Sequence, residues 1–418
     1  MAKTDYGAVF SAHFLQLTDE ERRYLALDAL KLEWRRISFY SNTNGMFSWV
    51  EAYFDGDTIV KVIQENRSFY RDGSPCYNSY TEYDTILKTE GGMLLPLTGR
   101  GKPKKLTGSN IMAVTPFGCS LNFQINRSKR RTDLFLDNLR ANQRFPLGEW
   151  ERIGKIDGDG AFHEFMDWYI ATCRADYFQK LERFRRAQKV TVKYRPGDIF
   201  RMELDRERYC YGLITGTVKQ FRSMPELPEQ HSLRRLMMVP IMVRTYQFLT
   251  EDPGMTAREL AEMPLGRMKT VGDNDIIWGT HPIVDHRELT EEDLEFHLVC
   301  CKIRRNGDMQ AEDFNLAVEW GFAKMELPWE QMSQKLRELM EDYASPHGGV
   351  SIGIIPRLML ESESPDLVTH RLNLLNPCCR ELREELLRCL GLEPDTDFDG
   401  FARAFGGLTK GDILKRMK

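Results

Sequence analysis

The densest group of potential metal ligands in this 418-residue sequence is formed by His281, Asp285 and His286. Imidazole nitrogens and carboxylate oxygens can hold a divalent cation, but a mononuclear site needs three or four of them converging on one point. Asp275 and His297 complete such a set only if the fold brings them close. Because loop residues of these types commonly hydrogen-bond nearby backbone, we predict no metal and no cofactor here.

Two further patterns resemble ligand-binding or catalytic motifs but fail on spacing. Asp395, Asp397 and Asp399 alternate as in the first half of an EF-hand loop, yet Gly406 stands at the twelfth position, where a bidentate glutamate is required. His163-Glu164 is not followed by the second histidine of a zinc-hydrolase helix. The sequence also has no Walker loop and no nucleophile elbow, so it predicts no catalytic residue and no enzyme.

The cysteines and the apolar segments bear on the compartment. The chain has nine cysteines, including the adjacent pairs Cys300-Cys301 and Cys378-Cys379, and this spacing matches neither a zinc site nor a disulfide framework. No apolar run follows a basic cluster at the N-terminus, and no segment approaches the length that spans a bilayer. We therefore expect a cytoplasmic protein.

Charge is distributed unevenly along the chain. Residues 1–190 carry 28 basic and 24 acidic side chains, whereas residues 191–418 carry 30 basic and 38 acidic ones. An acidic surface attracts a basic partner over long range, although a few excess charges also serve solubility. The acidic second half is therefore compatible with an inhibitor of a basic protein.

Basic clusters in the first half suggest a different partner. Lys104 and Lys105 form one cluster and Arg130 and Arg131 another, in a region rich in aromatic residues. Cationic side chains contact phosphates, and aromatic rings stack on the bases of single strands. The alternative hypothesis is thus a nucleic-acid-binding accessory protein that uses these four residues, although solvated loops beside strands have the same composition.

Residues 1–189 alternate between strand and helix signals and predict an α+β domain of unknown role. A capping box at Thr18-Asp-Glu-Glu21 predicts a helix that runs to about Arg36. Period-two alternation predicts strands at Met46 to Phe54, Thr58 to Gln64, Glu82 to Lys88, Ile111 to Thr115 and Leu121 to Ile125. Helical spacing predicts helices at Thr132 to Arg140 and Ala161 to Lys189.

The segment that starts at Val190 predicts a compact β-meander. Alternating apolar residues indicate strands at Val190 to Tyr194, around Phe200 to Leu204, and from Tyr209 to Leu213. The charged loop Asp205 to Arg208 is short enough to join antiparallel strands. A glycine inside the third strand, Gly212, indicates a bulge or a close backbone approach.

The order of these residues resembles a known family. Gly197-Asp-Ile-Phe200, then Leu204, then Tyr211-Gly-Leu-Ile214 is similar to the opening of immunity-protein family twenty-six (Imm26-like) of bacterial polymorphic toxin systems. The resemblance concerns the central region only. It implies a cytosolic, β-rich protein that protects its own cell by binding and blocking a partner toxin, and it brings no catalytic residues.

Together these patterns predict an α+β fold with three parts. We expect an antiparallel β-meander domain with flanking helices over 1–189, a second curled antiparallel sheet or small barrel over 190–346, and a helical extension over 347–418. Helix signals in the extension lie at Leu367 to Leu375, Cys378 to Leu390, Phe398 to Phe405 and Lys410 to Met417. The predicted partner is a cognate toxin, and the candidate contact residues are Asp198, Glu203, Asp205, Glu207, Tyr209 and Tyr211.

Overall fold

The computed structural model describes residues 6–95, 104–114, 118–145, 147, 150–235, 239–304, 314–341, 354, 359–360 and 373–418. The chain forms two compact units, Met1–Thr191 and Val192–Lys418. The predicted α+β class is confirmed. The sheets are antiparallel, and the C-terminal part contains helices.

The first unit is built on a seven-stranded antiparallel sheet in the order β1-β2-β3-β4-β7-β8-β9. Its strands are β1 (Arg35–Thr43), β2 (Met46–Asp55), β3 (Thr58–Phe69), β4 (Pro75–Lys88), β7 (Cys119–Asn126), β8 (Arg131–Asn138) and β9 (Gln143–Phe145). A separate pair consists of β5 (Leu94–Leu95) and β6 (Lys104–Lys105). The helices are α1 (Tyr6–Val9), α2 (Asp19–Tyr24), α3 (Gly108–Val114), α4 (Trp150–Ile153), α5 (Asp159–Ala171) and α6 (Tyr177–Arg186).

Two predicted elements of the first unit end earlier than expected. The capping box between Thr18 and Glu21 is present, but α2 stops at Tyr24 because Ala26 takes a φ of 56° and turns the chain toward β1. The predicted helix from Ala161 to Lys189 is divided into α5 and α6 by the residues after Thr172. The capping box thus marks where α2 begins, whereas periodicity marks the end of neither predicted helix.

Two other elements were assigned to the wrong class. Thr132 to Arg140 was predicted as a helix, but β8 covers this segment because alternate residues, Leu134 and Leu136, are buried in the core. Ile111 to Thr115 was predicted as a strand, but α3 runs through Val114, and Thr115 lies outside the described residues. Thr107 and Asn110 exchange side-chain to backbone hydrogen bonds at the start of α3, which is the reciprocal cap that starts a helix.

A layer of buried charges lies on one face of the sheet, beside the apolar core. Lys61 on β3 is fully buried, and its Nζ lies 2.7 Å from Oε1 of Glu82 and 2.6 Å from Oδ1 of Asp84, both on β4. Arg22 of α2 donates to Glu82 from above the sheet. Burial alone raises the pKa of Glu82, but Lys61 and Arg22 outweigh it and hold that pKa below its ordinary value. Because an unpaired buried charge is costly, these groups depend on one another.

The same layer fastens the N-terminal segment to the sheet through His13. Its Nδ1 lies 2.8 Å from Oε1 of Glu65, its Nε2 lies 3.3 Å from Oε2 of Glu51, and its ring stacks on Trp49 at 4.2 Å. Burial by itself lowers the pKa of His13, but the hydrogen bonds and charges of the two glutamates raise it to about 9. His13 is therefore an imidazolium held between two carboxylates at neutral pH.

This arrangement makes the stability of the first unit pH-dependent. A folded-state pKa raised from 6.5 to about 9 contributes stability that is fully present below pH 6.5 and is lost as the pH rises through 9. We expect His13→Gln to remove about 2 kcal/mol at pH 6 and much less at pH 9.5, measured by urea unfolding of both proteins at each pH. An equal loss at the two pH values would show that the imidazolium charge does not stabilise this unit.

The second unit contains two antiparallel sheets. The five-stranded sheet has the order β13-β12-β11-β10-β14, and the three-stranded sheet has the order β15-β16-β17. The strands are β10 (Asp198–Glu203), β11 (Tyr209–Thr217), β12 (Ile241–Thr245), β13 (Lys269–Val271), β14 (Ile283–His286), β15 (Leu298–Arg304), β16 (Phe314–Trp320) and β17 (Ala323–Leu327). The helices are α7 (Val218–Arg222), α8 (Ser232–Arg235), α9 (Ala257–Leu260), α10 (Asn274–Ile277), α11 (Gln334–Glu341), α12 (Arg380–Cys389), α13 (Phe398–Ala404) and α14 (Lys410–Met417).

One apolar core joins the sheets to the C-terminal helices. It contains Tyr211 of β11, Trp320 of β16, Leu386 of α12 and Phe401 of α13. The helices predicted at 378–390, 398–405 and 410–417 are confirmed as α12, α13 and α14, while the one predicted at 367–375 falls mainly outside the described ranges. Of the helices within the described ranges, none combines the length and apolar character that crossing a membrane requires.

The meander differs from its prediction at its start. Val190 to Tyr194 is not a strand; the Val192 amide donates to the carbonyl of Ile277, and the Tyr194 hydroxyl donates to Asp273 at 2.7 Å. This segment satisfies its polar groups against the loop around α10 and does not join a sheet ladder. The hairpin of β10 and β11 is confirmed, with the connecting loop where the charged residues predicted it.

Candidate functional site

Gly197 and Asp198 hold the edge strand β14 against β10. Gly197 has a φ of 94°, and a Cβ at this position would lie 2.7 Å from the His286 ring and would overlap the carbonyl oxygen of Arg287. Asp198 accepts a hydrogen bond from the Arg195 amide at 2.8 Å, and its other oxygen lies 2.8 Å from Nδ1 of His286. Glycine and aspartate are both required here because β14 approaches β10 through these contacts.

In the hairpin of β10 and β11, the Phe200 ring packs closely against the backbone of Gly212. Phe200 on β10 is paired with Gly212 on β11, and a Cβ at Gly212 would overlap the Phe200 ring. Phe200 is fully buried. Gly212 is therefore the close approach that its position in the strand predicts, whereas the register shift between β11 and β12 lies further on, between Ile214 and Gly216.

Asp205 organises the hairpin loop from inside. Its Oδ1 accepts hydrogen bonds from the amides of Glu207 and Arg208 at 2.9 and 2.8 Å, and its Oδ2 pairs with the Arg208 guanidinium at 2.6 Å. The buried carboxylate is therefore the hydrogen-bond acceptor for these two amides of the turn. The loop has one defined shape as a result.

Two tyrosines connect the hairpin to the loop that follows β12. Tyr209 exchanges backbone hydrogen bonds with Thr250 at 2.8 and 3.1 Å. The Tyr211 hydroxyl donates to the carbonyl of Asp252 at 2.8 Å and accepts from the Met255 amide at 3.3 Å. Burial raises the pKa of Tyr211, so its hydroxyl remains protonated and able to donate.

These contacts bring four acidic side chains to one end of the five-stranded sheet. Glu203 at the end of β10 and Glu207 in the loop are exposed, and so are Glu251 and Asp252 beside the Tyr209–Thr250 bridge. We call these four residues the acidic tip. Arg201 lies beside it: its Nη2 is 3.8 Å from Oε1 of Glu203, and its Nη1 donates to the carbonyl of Pro253 at 2.7 Å. The acidic tip is a negatively charged surface on a rigid support.

The six predicted contact residues therefore occupy two kinds of position. Glu203 and Glu207 are exposed on the acidic tip, whereas Asp198, Asp205, Tyr209 and Tyr211 are buried and hold the hairpin. Sequence reasoning missed Glu251 and Asp252, because their proximity to the hairpin results from pairing across about forty residues of chain. Their only signal in sequence is the general acidic excess.

The candidate metal ligands make other contacts. Asp285 accepts from the Ala257 amide at 2.6 Å and from the His286 amide, and these bonds lower its pKa. Nε2 of His281 lies 3.2 Å from the carbonyl oxygen of Ile354, and Nε2 of His297 lies 2.6 Å from that of Met268. Burial lowers the pKa of both imidazoles. No three His, Cys, Asp or Glu side chains within the described ranges are placed to hold a metal ion.

The aspartates that resemble half of an EF-hand loop belong to the helix ends. Asp397 caps α13 by accepting from the Gly400 amide at 2.7 Å, and Asp399 accepts from the Lys410 amide at 2.9 Å. Asp395 is exposed. Hydrogen bonds at helix ends thus account for the positions of Asp397 and Asp399.

The two basic clusters lie near opposite ends of β4. Arg130 and Arg131 are in the turn and strand after β7, where Tyr77 at the start of β4 pairs with Asn126. Lys104 and Lys105 form the exposed strand β6, which pairs with β5 beyond Lys88 at the other end of β4. Arg131 is also paired with Asp133 at 2.7 Å. The four residues do not form one continuous patch.

Comparison with protein families identifies the class of the central region. Residues 195–308 match the model of a family described as Immunity protein 26. The match begins two residues before Gly197 and includes the hairpin, the acidic tip and β14, so the predicted resemblance is confirmed for this region. Comparisons with curated proteins and with solved structures returned no match.

The contact between Phe200 and Gly212 can be tested directly. Gly212→Ala forces the Phe200 ring away from β11, and we expect a loss of about 1 to 3 kcal/mol in the free energy of unfolding. Gly254→Ala is the matched control, because a Cβ there meets only Asp252 at the ordinary distance of 3.4 Å. Chemical denaturation of both variants measures the difference. Equal stability of the two would mean that the hairpin does not depend on this contact.

Proposed function

We propose that this protein is an immunity protein that binds and neutralises a cognate bacterial toxin by forming a stoichiometric complex in the cytoplasm. The single observation that carries the proposal is the match of residues 195–308 to Immunity protein 26. Blocking a toxin by occupying its surface needs a rigid recognition surface and no catalytic group. In this proposal residues 190–346 form the recognition domain, supported by the C-terminal helices that share its core.

We further propose that the acidic tip contacts the toxin. Its carboxylates are exposed at one end of the sheet, while the buried Asp205 already neutralises Arg208 beside them. Charged surfaces of this kind accelerate association with an oppositely charged partner and suppress wrong partners. The expected partner surface is therefore basic, as in proteins that cleave nucleic acid.

The test uses the full chain and the product of the gene next to its own. Glu203→Lys combined with Glu207→Lys should weaken the complex at least tenfold, mainly by slowing association, because rim charges act on the encounter rate. Glu229→Lys combined with Glu393→Lys changes the net charge equally at exposed positions away from the tip and should leave affinity unchanged. Surface plasmon resonance at low and high salt measures both rates.

Two results would overturn parts of the proposal. Unchanged affinity of the tip variant, with the complex intact, would exclude the acidic tip as the contact surface. No complex with any neighbouring gene product, together with salt-dependent nucleic-acid binding that requires Lys104, Lys105, Arg130 and Arg131, would replace toxin neutralisation by the nucleic-acid alternative.

A further inference from the structure

A cavity of about 310 Å³ with both charged and aromatic walls lies in the second unit, where the C-terminal helices meet the central region. Arg267, Glu295 and Phe296 line it from the family-matched region, and Arg383 of α12 and Lys410 of α14 line it from the C-terminal part. Ligand pockets in proteins begin at about 300 Å³, so the space admits a small metabolite.

Two of the cations in this cavity have no carboxylate partner among the described residues. Arg267 is neutralised, because its Nη1 lies 3.0 Å from Oε1 of Glu295. Toward the described residues, Arg383 donates from Nη1, over 3.4 and 3.3 Å, to the carbonyls of Leu374 and Leu375. A guanidinium has five N–H donors, so most of the donors of Arg383 have no partner among those residues.

Lys410 is the second cation that has no carboxylate partner among the described residues. Its backbone amide donates a hydrogen bond to Asp399. Its Nζ lies 6.0 Å from the centroid of the Phe398 ring, and this contact is weaker than an ion pair with a carboxylate. An arginine and a lysine that line one space can together bind a group with two negative charges.

The other residues that line the cavity favour a ligand that also carries hydrogen-bond donors. Asp395 and Asp397 stand at the exposed side of the cavity, and ionised carboxylates only accept hydrogen bonds. Phe296 and Phe398 stack at 5.2 Å, with Trp320 edge-on to Phe398, and form a fixed apolar floor. A fitting molecule carries an anionic group for the two cations and hydroxyl donors for the two carboxylates.

We propose that this cavity binds a small phosphate ester, with its phosphate between Arg383 and Lys410 and its hydroxyl groups toward Asp395 and Asp397. The site goes beyond toxin binding, since it lies on other residues than the acidic tip. Because the two cations come from α12 and α14, the bound ester bridges these two C-terminal helices.

Ribose 5-phosphate is the probe and ribose is its matched control, titrated into the full chain by calorimetry and followed by thermal unfolding. We expect one saturable site for the phosphate ester, a raised unfolding temperature, and no effect of ribose. Lys410→Met should weaken binding at least tenfold, whereas Lys415→Met on the exposed side of the same helix should not. Asp395→Asn should weaken binding of ribose 5-phosphate without weakening that of inorganic phosphate.

Arg383→Gln is a second variant that keeps a donor for the two carbonyls and so tests the site if Lys410→Met does not fold. Failure of ribose 5-phosphate to bind up to millimolar concentration would overturn the proposal. So would binding that is equal for sulfate at the same ionic strength and unaffected by Lys410→Met and Arg383→Gln. None of these results depends on toxin binding, which is measured separately on the acidic tip.

Discussion

The packing of the Phe200 ring against the backbone of Gly212 is the contact on which the central region depends. It lets β10 and β11 approach closely, and the short loop that joins them then encloses Asp205. The closed hairpin in turn places Tyr209 and Tyr211 where they bond to Thr250 and Asp252. The surface proposed to meet a toxin is therefore a consequence of one close backbone approach, because every later contact requires the two strands to be in register.

Buried and exposed charges have different roles in this protein. In the first unit, Lys61 and Glu82 are fully buried and His13 is largely buried, and each has an opposite charge within hydrogen-bond distance. In the second unit, the buried Asp198 and Asp205 likewise serve the backbone around them. Such groups lose much of their capacity to bind other molecules, since removing one partner leaves an uncompensated charge. Glu203 and Lys410 are instead partly open to solvent, where a charge costs much less.

Prediction from sequence succeeded where a few neighbouring residues determine the structure. The capping box at Thr18 and the loop after Leu204 follow from hydrogen bonds between residues three positions apart. It failed at Thr132 to Arg140, whose composition permits a helix, because strand β8 gains its stability from pairing with β7 and from burying Leu134 and Leu136. It failed at α3, whose first turn is stabilised by the reciprocal cap of Thr107 and Asn110.

The sequence by itself determined the α+β class, the hairpin around Gly212, the Gly197-Asp198 pair and the acidic excess of the second half. Only the tertiary structure decided which of those acids are exposed, that Glu251 and Asp252 join them, and that Arg267 and Lys410 face the same cavity. The reason is physical: periodicity and capping express interactions between near neighbours, whereas exposure and convergence depend on which distant strands and helices pack together.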